Sequence, residues 1–372
     1  MANSDLLYRI ALALTPGIGC KSYRQLIELC GEPSQLFSLP RKELNQIFGN
    51  HRAIAESIAN QATVKRAEEE CGFIERNNII PIFCTDPDYP QRLNRSDCAD
   101  TPPLLYSQGH CNLNAKRIVG VVGTRRITPY GRDMAEKIVG ELKYDDMVIV
   151  SGLAYGVDTA AHNAALSNNI PTAAVLGHGL DRLYPTQNRK LALNMLEHGG
   201  SLLTEYISFT QISPSNFPAR NRIIAALSDA VIVVEASEKG GALITANIAN
   251  SYHREVFAVP GRISDTYSRG CNNLLANNKA IIYTNADNFL FNMGWERPSS
   301  QGGEQQKLFP TLSSDEQSVV DLLRQEDMLG IEAICERTAF PLPKVAGILL
   351  NLELENIIHC LPGKMYRLRE GC

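Results

Sequence analysis

Residues 217–222, FPARNR, place an aromatic ring, two arginines and an asparagine at the mouth of an apolar helix. Arginine presents a planar fork of donors that matches phosphate, and a helix start adds unpaired backbone N–H groups. The chemistry on offer is anion capture. Phe217 can stack on a base, and Arg220, Asn221 and Arg222 can hold phosphates. A structural use is also open, in which Phe217 staples the helix and the arginines pair with Asp229 or Glu235.

Four further stretches have the same character. GVVGTRRITPYG (120–131) carries Arg125 and Arg126 behind Gly123. Two adjacent arginines suit phosphates spread along a chain, although one of them can instead pair with a carboxylate. In SGLAYGVDTAAH (151–162), Ser151 and Gly152 permit close backbone approach to a ligand, and Gly156 permits a positive φ. Asp158 is placed to cap the helix that carries His162. Ser, Asp and His in one stretch bring a hydrolase triad to mind, but no GxSxG elbow presents Ser151, and His162 reads as a packed, hydrogen-bonded residue. In AVLGHGLDRLYPTQN (174–188), Gly177 and Gly179 flank a strand end, and Asn188 can cap or contact a ligand. Tyr184, on a rigid turn before Pro185, either stacks on a base or packs as a lid. Finally, Lys239 beside Gly240 and Gly241, with Thr245 just inside the next helix, forms a plausible phosphate cradle.

These groups need a scaffold that brings loops together. Apolar runs at 117–122, 147–152, 172–177, 201–206, 230–236 and 255–261 alternate with helical patterns. Unbroken apolar strands joined by helices predict a parallel sheet covered on both faces, a Rossmann-like α/β domain. Every glycine-bearing stretch then falls at a strand end, where open α/β sheets bind ligands. A dinucleotide site would need GxGxxG after the first strand; the single Gly123 followed by Thr124, Arg125 and Arg126 disfavours nicotinamide or flavin.

The rest of the chain divides around that core. Residues 1–90 read as a small helical domain, whose Gly17-Ile18-Gly19 turn between two helices resembles a helix-hairpin-helix unit. The Pro- and Asp-rich stretches 81–93 and 101–109 read as a connector, and the core domain runs over 91–295. Residues 296–312 read as a Pro, Gly, Ser and Gln-rich linker. Residues 313–372 then give three helices, the first preceded by Ser314, and a hairpin around Pro362-Gly363-Lys364, the outline of a winged helix. Its last helix has Lys344 as its one basic residue, which favours protein contact over reading a DNA major groove.

Composition narrows the function. A length of 372 residues fits two or three domains. A net charge of −4 confines any nucleic-acid role to a local patch. No apolar run is long enough for a membrane span, and Asp5 and Arg9 make the N-terminus an amphipathic helix rather than a signal peptide. Ten cysteines without a CxxC pair predict reduced thiols in a cytoplasmic protein, with no metal site and no cofactor.

Taken in order, GTRRITPYG, SGLAYGVDTAAH, AVLGHGLDRLYPTQN, FPARNRIIAALSDAVIVVEA, GGALITA, REVFAVPGRI and GCNNLLANNKA resemble DNA-processing protein A, the DprA/Smf family of bacterial natural transformation. The motifs cover almost all of residues 117–282. The resemblance implies a single-stranded-DNA-binding core, a homodimer formed through it, protection of incoming DNA and its delivery to the RecA recombinase, with no enzymatic activity. It carries the family's DNA-contacting arginine onto Arg125, its loop glycines onto Gly152, Gly156 and Gly177, and its FPxRNR motif onto Phe217, Arg220, Asn221 and Arg222. Tyr155 stands where the family often has a basic residue, and Gly240 where it often has Ser, so each removes a possible phosphate contact. A competing resemblance is to the nucleoside-monophosphate phosphoribohydrolases, which keep PGGxGT and a catalytic Glu. Here the loop reads EKGGALIT, and Glu235 or Glu205 would have to be the acid.

Overall fold

Six short helices open the chain because their apolar residues recur at helical spacing. They are α1 (Ser4–Ala13), α2 (Cys20–Cys30), α3 (Pro33–Ser38), α4 (Arg41–Phe48), α5 (Arg52–Ala59) and α6 (Val64–Arg76). Ile10, Tyr23, Leu36, Leu44, Ile58 and Ala67 are their buried faces. The structure, a computed structural model, describes residues 4–95, 98, 100–295, 313–326, 328–354, 357–361 and 365–368. The chain divides into two compact units, one up to Pro298 and one from Ser299.

After α6 the first unit alternates strand and helix. The elements are β1 (Ile80–Phe83), β2 (Leu104–Gly109), β3 (Arg117–Val122), α7 (Pro129–Glu141), β4 (Met147–Ser151), α8 (Val157–Ser167), β5 (Thr172–Val175), α9 (Arg189–Glu197), β6 (Ser201–Thr204), α10 (Asn216–Leu227), β7 (Ala230–Val233), α11 (Gly241–Ser251), β8 (Glu255–Ala258), α12 (Arg269–Ala276), β9 (Ile281–Ile282) and α13 (Ala286–Met293). One nine-stranded sheet results, in the order β1-β2-β6-β5-β4-β3-β7-β8-β9. From β6 to β9 all pairings are parallel. Side chains alternate between its faces. Val119, Val121, Ile149 and Ile232 pack on one side, and Ile118, Val122, Val150 and Val231 on the other.

Two differences from the sequence reading stand out. The stretches read as a connector contain β1 and β2, which add antiparallel to β6 at one edge. Pro81 and the brevity of the runs hid them, since proline is confined to edge strands. The boundary expected near residue 90 is a change of architecture inside one compact unit, not a gap. There α6 is tied down: buried Glu70 accepts from the Ser208 backbone N–H at 3.1 Å, and Arg66 donates to the Ser208 carbonyl at 2.6 Å.

The second unit contains α14 (Ser314–Gln325), β10 (Leu329–Gly330), α15 (Ile331–Thr338), α16 (Leu342–Leu354), β11 (Ile358–Leu361) and β12 (Met365–Leu368). Three helices stand on a small sheet ordered β10-β12-β11, the winged-helix arrangement. Its helix cap is Ser313, one residue before the Ser314 expected. The Ser313 hydroxyl accepts from Glu316 N–H at 3.3 Å, while the Glu316 carboxylate accepts from Ser313 N–H at 2.9 Å. The hairpin tip 362–364 and the linker 296–312 lie outside the described residues. Among the described residues no helix is long and apolar enough to cross a membrane.

Candidate nucleic-acid interface

The strand order reverses at β3. The chain winds outward through β4, β5 and β6 on one side, then returns to lay β7, β8 and β9 on the other. The loops leaving the carboxyl ends of β3 and β7 therefore diverge and leave a crevice between them. A cleft of about 760 Å³ occupies this position. Gly123, Thr124 and Arg125 line it from the β3 loop, Gly240, Gly241 and Thr245 from the start of α11, and Phe217, Arg220 and Asn221 from α10.

Its rim is cationic and aromatic. Arg125 lines the cleft; Arg126 and Lys239, sequence neighbours of the lining residues Arg125 and Gly240, are also exposed, and among the described residues none of the three forms an ion pair. The Arg125 guanidinium lies 5.1 Å from the centre of the Phe217 ring. That ring in turn lies 5.9 Å from the Tyr184 ring, tilted by 45°. A cation and two aromatic rings thus form a continuous ladder along the mouth. Tyr184 is 41% exposed and Tyr155 is 40% exposed, its hydroxyl bonded to Gln187. Asn221 faces the cleft, with its amide 3.5 Å from the Gly241 carbonyl.

The floor is built from residues that the sequence reading placed in direct contact with ligand. Arg220 is 4% exposed, and its Nη1 donates to the Gly152 carbonyl at 2.7 Å and also to the Val175 carbonyl. Burial lowers its pKa to about 10, against the attraction of Asp158, so it stays charged at neutral pH. Asp158 does not cap α8, whose cap is Gly156; its Oδ2 accepts from the Gly152 and Ala154 N–H groups at 3.2 Å each. Burial raises the Asp158 pKa, while Arg220 and these donors lower it. Ser151 is fully buried and donates to the Val121 carbonyl at 2.7 Å. Asn188 holds the N-cap position of α9 without a side-chain cap bond and does not line the cleft, because its amide donates to the Leu153 carbonyl at 2.8 Å and to the Thr159 hydroxyl at 2.9 Å.

Arg222 turns away from the cleft, bonded to Glu205 and 3.8 Å from Asp100. The pairings open in the sequence are taken by others: Asp229 pairs with Arg92 at 2.7 Å, and Glu235 accepts from the Thr128 hydroxyl at 2.6 Å. Thus Arg220, Arg222, Ser151 and Asn188 organise the site from within, while Arg125, Arg126, Lys239 and Tyr184 are exposed and Phe217 is half-buried between them and the floor.

The glycines answer to packing more than to ligand approach. A Cβ on Gly152 would lie 2.0 Å from the Arg220 guanidinium, and one on Gly156, at φ +79°, would lie 2.2 Å from the Thr124 carbonyl. A Cβ on Gly177 would press on Phe217 at 3.2 Å, and one on Gly179 would meet the Ile207 carbonyl at 2.4 Å. A Cβ on Gly240 would lie 3.3 Å from the Ser237 carbonyl, whereas one on Gly241 would meet nothing within 4 Å; both line the cleft at the start of α11, where buried Thr245 adds to the lining. Sequence reasoning missed the apolar contribution to the cleft from Ile212, Ile224 and Ile244.

Acid–base machinery is poorly placed. His162 is fully buried, its Nδ1 2.7 Å from the Thr172 hydroxyl oxygen, and burial lowers its pKa to about 3. Glu205 and Glu235 do not line the cleft, and Asp158, which does, is engaged by backbone donors.

The family model described as DNA recombination-mediator protein A matches residues 80–294, and that of the DprA winged helix domain matches residues 304–364. Protein Smf of Synechocystis sp. is 32% identical over 99% of this chain and 100% of its own length. Protein Smf of Escherichia coli is 34% identical over 83% of this chain and 82% of its own. The X-ray structure of DNA processing protein A from Streptococcus pneumoniae is similar with a TM-score of 0.56 and 34% identity, covering 71% of this chain and 96% of that one. A structure of DNA processing protein A from Helicobacter pylori, described for its single-stranded DNA binding mode, has a TM-score of 0.51 and 32% identity, covering 58% of this chain and 95% of that one.

Proposed function

Because this chain belongs to the DNA recombination-mediator protein A family, we propose that its cleft binds single-stranded DNA without reading sequence and hands the strand to a RecA-type recombinase in the cytoplasm. The observation that carries this reading is the Arg125–Phe217–Tyr184 ladder at a topological switch point, with exposed Arg126 and Lys239, which form no ion pair among the described residues, following in sequence on the β3 and β7 loops. Ring faces stack on any base, and cations track phosphates, so the arrangement suits an unstacked strand of any sequence. Buried Arg220 adds positive potential from beneath. The single-stranded DNA binding described for the Helicobacter pylori relative supports the same ligand here.

Mechanism follows from the loops. A strand enters along the carboxyl edge of the sheet, lays phosphates on Arg125, Arg126 and Lys239, and turns a base toward Phe217 and Tyr184. Gly156 and Gly152 hold the β3 and β4 loops close enough for this ladder to form. A homodimer would offer two such clefts, so one strand bridging both gains by effective concentration. The outer edge of β9 supports that assembly: β9 ends the sheet, its Ile282 is 44% exposed, and Phe291 on the following helix α13 is 86% exposed. DNA held in this way is shielded from nucleases until the recombinase takes it.

The protein acts by binding rather than by catalysis. The burial of His162 and the engagement of Asp158, Glu205 and Glu235 support this. Incubation with AMP tests it, because release of adenine would establish the phosphoribohydrolase reading instead. Anisotropy titration of labelled oligothymidine against a duplex of equal length tests the ligand; equal affinity for both would remove the proposal. RecA loading predicts faster filament formation on oligothymidine coated with single-strand-binding protein when this protein is added.

A further inference from the structure

The cationic rim does not stop at the cleft. Beyond β7 lies β8, whose outgoing loop, residues 259–268, sits on the same carboxyl edge of the sheet. At the ordinary spacing of about 4.8 Å between strands, two gaps separate β3 from β8, roughly 10 Å. Arg262 in this loop is exposed and forms no ion pair among the described residues. Next to it Ile263 is 88% exposed. In the same loop Asp265 accepts from the Ser264 hydroxyl at 3.3 Å, and on the β7 loop Glu238 lies 3.8 Å from Arg269.

The loop is held in shape at its base. The Tyr130 hydroxyl donates to the Pro260 carbonyl at 2.8 Å, which fastens it to the first turn of α7 just beyond Arg126. Asn272 clamps Gly261 from both sides, donating to its carbonyl at 3.0 Å and accepting from its N–H at 3.2 Å. A turn from Arg262 to Asp265 and a second from Asp265 to Ser268 close it, at 3.1 and 3.0 Å. The Tyr267 carbonyl accepts from Ala236 N–H at 2.7 Å, which ties this loop to the β7 loop. A bulky apolar side chain beside an arginine with no ion pair among the described residues, on a clamped loop at the same edge of the sheet as the Arg125 and Lys239 loops, is arranged for a ligand and contributes nothing to the core.

We propose that the β8 loop is a second subsite for single-stranded DNA, in which Arg262 holds a phosphate and Ile263 covers a base of the strand leaving the cleft. The inference rests on the reading of the cleft as a single-stranded DNA site. It gives the strand a path on the protein, from the Tyr184 end of the cleft out over the β8 end.

A length series of labelled oligothymidines, titrated across salt with wild type, Arg262→Ala, Arg262→Lys and Ile263→Ala, tests it. Wild-type affinity should rise with length beyond the oligomer that fills the cleft. Arg262→Ala should abolish that rise and lower the salt slope for the longer oligomers by about 0.7, the value for one phosphate on a single strand, with no change for the short one. Arg262→Lys should restore the slope, and Ile263→Ala should weaken long oligomers without altering it. A length dependence in Arg262→Ala equal to wild type overturns the subsite, as does an equal loss at every length. Failure of wild type to bind even the short oligomer would instead overturn the cleft reading.

Discussion

Arg220 Nη1 donates to the Gly152 carbonyl at 2.7 Å, and a single methyl on Gly152 would collide with that guanidinium at 2.0 Å. The two residues, far apart in sequence, specify each other. Gly152→Ala should cost about 1–3 kcal/mol by overpacking. Arg220→Ala should cost a similar amount, about 1–3 kcal/mol, by leaving buried carbonyls unpaired. In the double variant the collision disappears, so its cost should fall below the sum of the two. Urea unfolding of the four proteins reads this coupling. Additive costs would mean that Arg220 does not pack on Gly152.

Tyr184 should matter to binding and not to stability. Its ring is 41% exposed and meets Phe217 at 5.9 Å. Tyr184→Ala should weaken oligothymidine binding by about 1–3 kcal/mol, the value of one stacked base, while Tyr184→Phe keeps most of the affinity. An unchanged unfolding midpoint with lost affinity is the expected pattern, read by anisotropy and thermal melting.

His162 should make the fold acid-sensitive. Its pKa falls from 6.5 to about 3 on burial. Between those values the unfolded chain binds a proton that the folded chain refuses, so stability drops as pH falls through this window. At about pH 5 the loss is roughly 2 kcal/mol, at 1.36 kcal/mol per unit. Asp158, whose pKa burial raises, works in the opposite direction, but it is common to wild type and variant. His162→Gln should therefore lose less stability than wild type between pH 7 and about pH 5, measured by urea midpoints.

Phe291, on α13, is 86% exposed, and β9 ends the sheet. If two copies meet there, Phe291→Asp should raise the dimer dissociation constant at least about tenfold, as loss of a central aromatic does. Sedimentation velocity should show the shift to monomer, with the far-UV spectrum unchanged.

Much of this architecture was legible from residue patterns. The runs 117–122 and 230–236 read as buried parallel strands because nothing polar interrupts them, and they became β3 and β7. Arg125 and Lys239 were legible as rim cations because they follow strand ends. The floor was harder. In FPARNR the two arginines look alike, yet one is buried and the other is bonded to Glu205. A signal was present: Arg220, Ile223, Ile224 and Leu227 share one helical stripe, which turns Arg220 inward with the apolar residues. Ser151 and Asn188 carried no such mark, since their partners Val121 and Leu153 arrive from other loops and strands. Strands β1 and β2 escaped notice because β2 pairs with the distant β6 and the edge strand β1 pairs only with β2.

The most direct test is Arg125→Ala, titrated with labelled oligothymidine and with a duplex across a salt series. Arg125 is exposed and meets Phe217 at 5.1 Å without an ion pair among the described residues. We predict strand-selective binding by wild type. The variant should bind at least about tenfold more weakly, with a salt slope lower by about 0.7 and an unaltered unfolding midpoint. Affinity and slope equal to wild type would contradict the placement of the DNA site in this cleft.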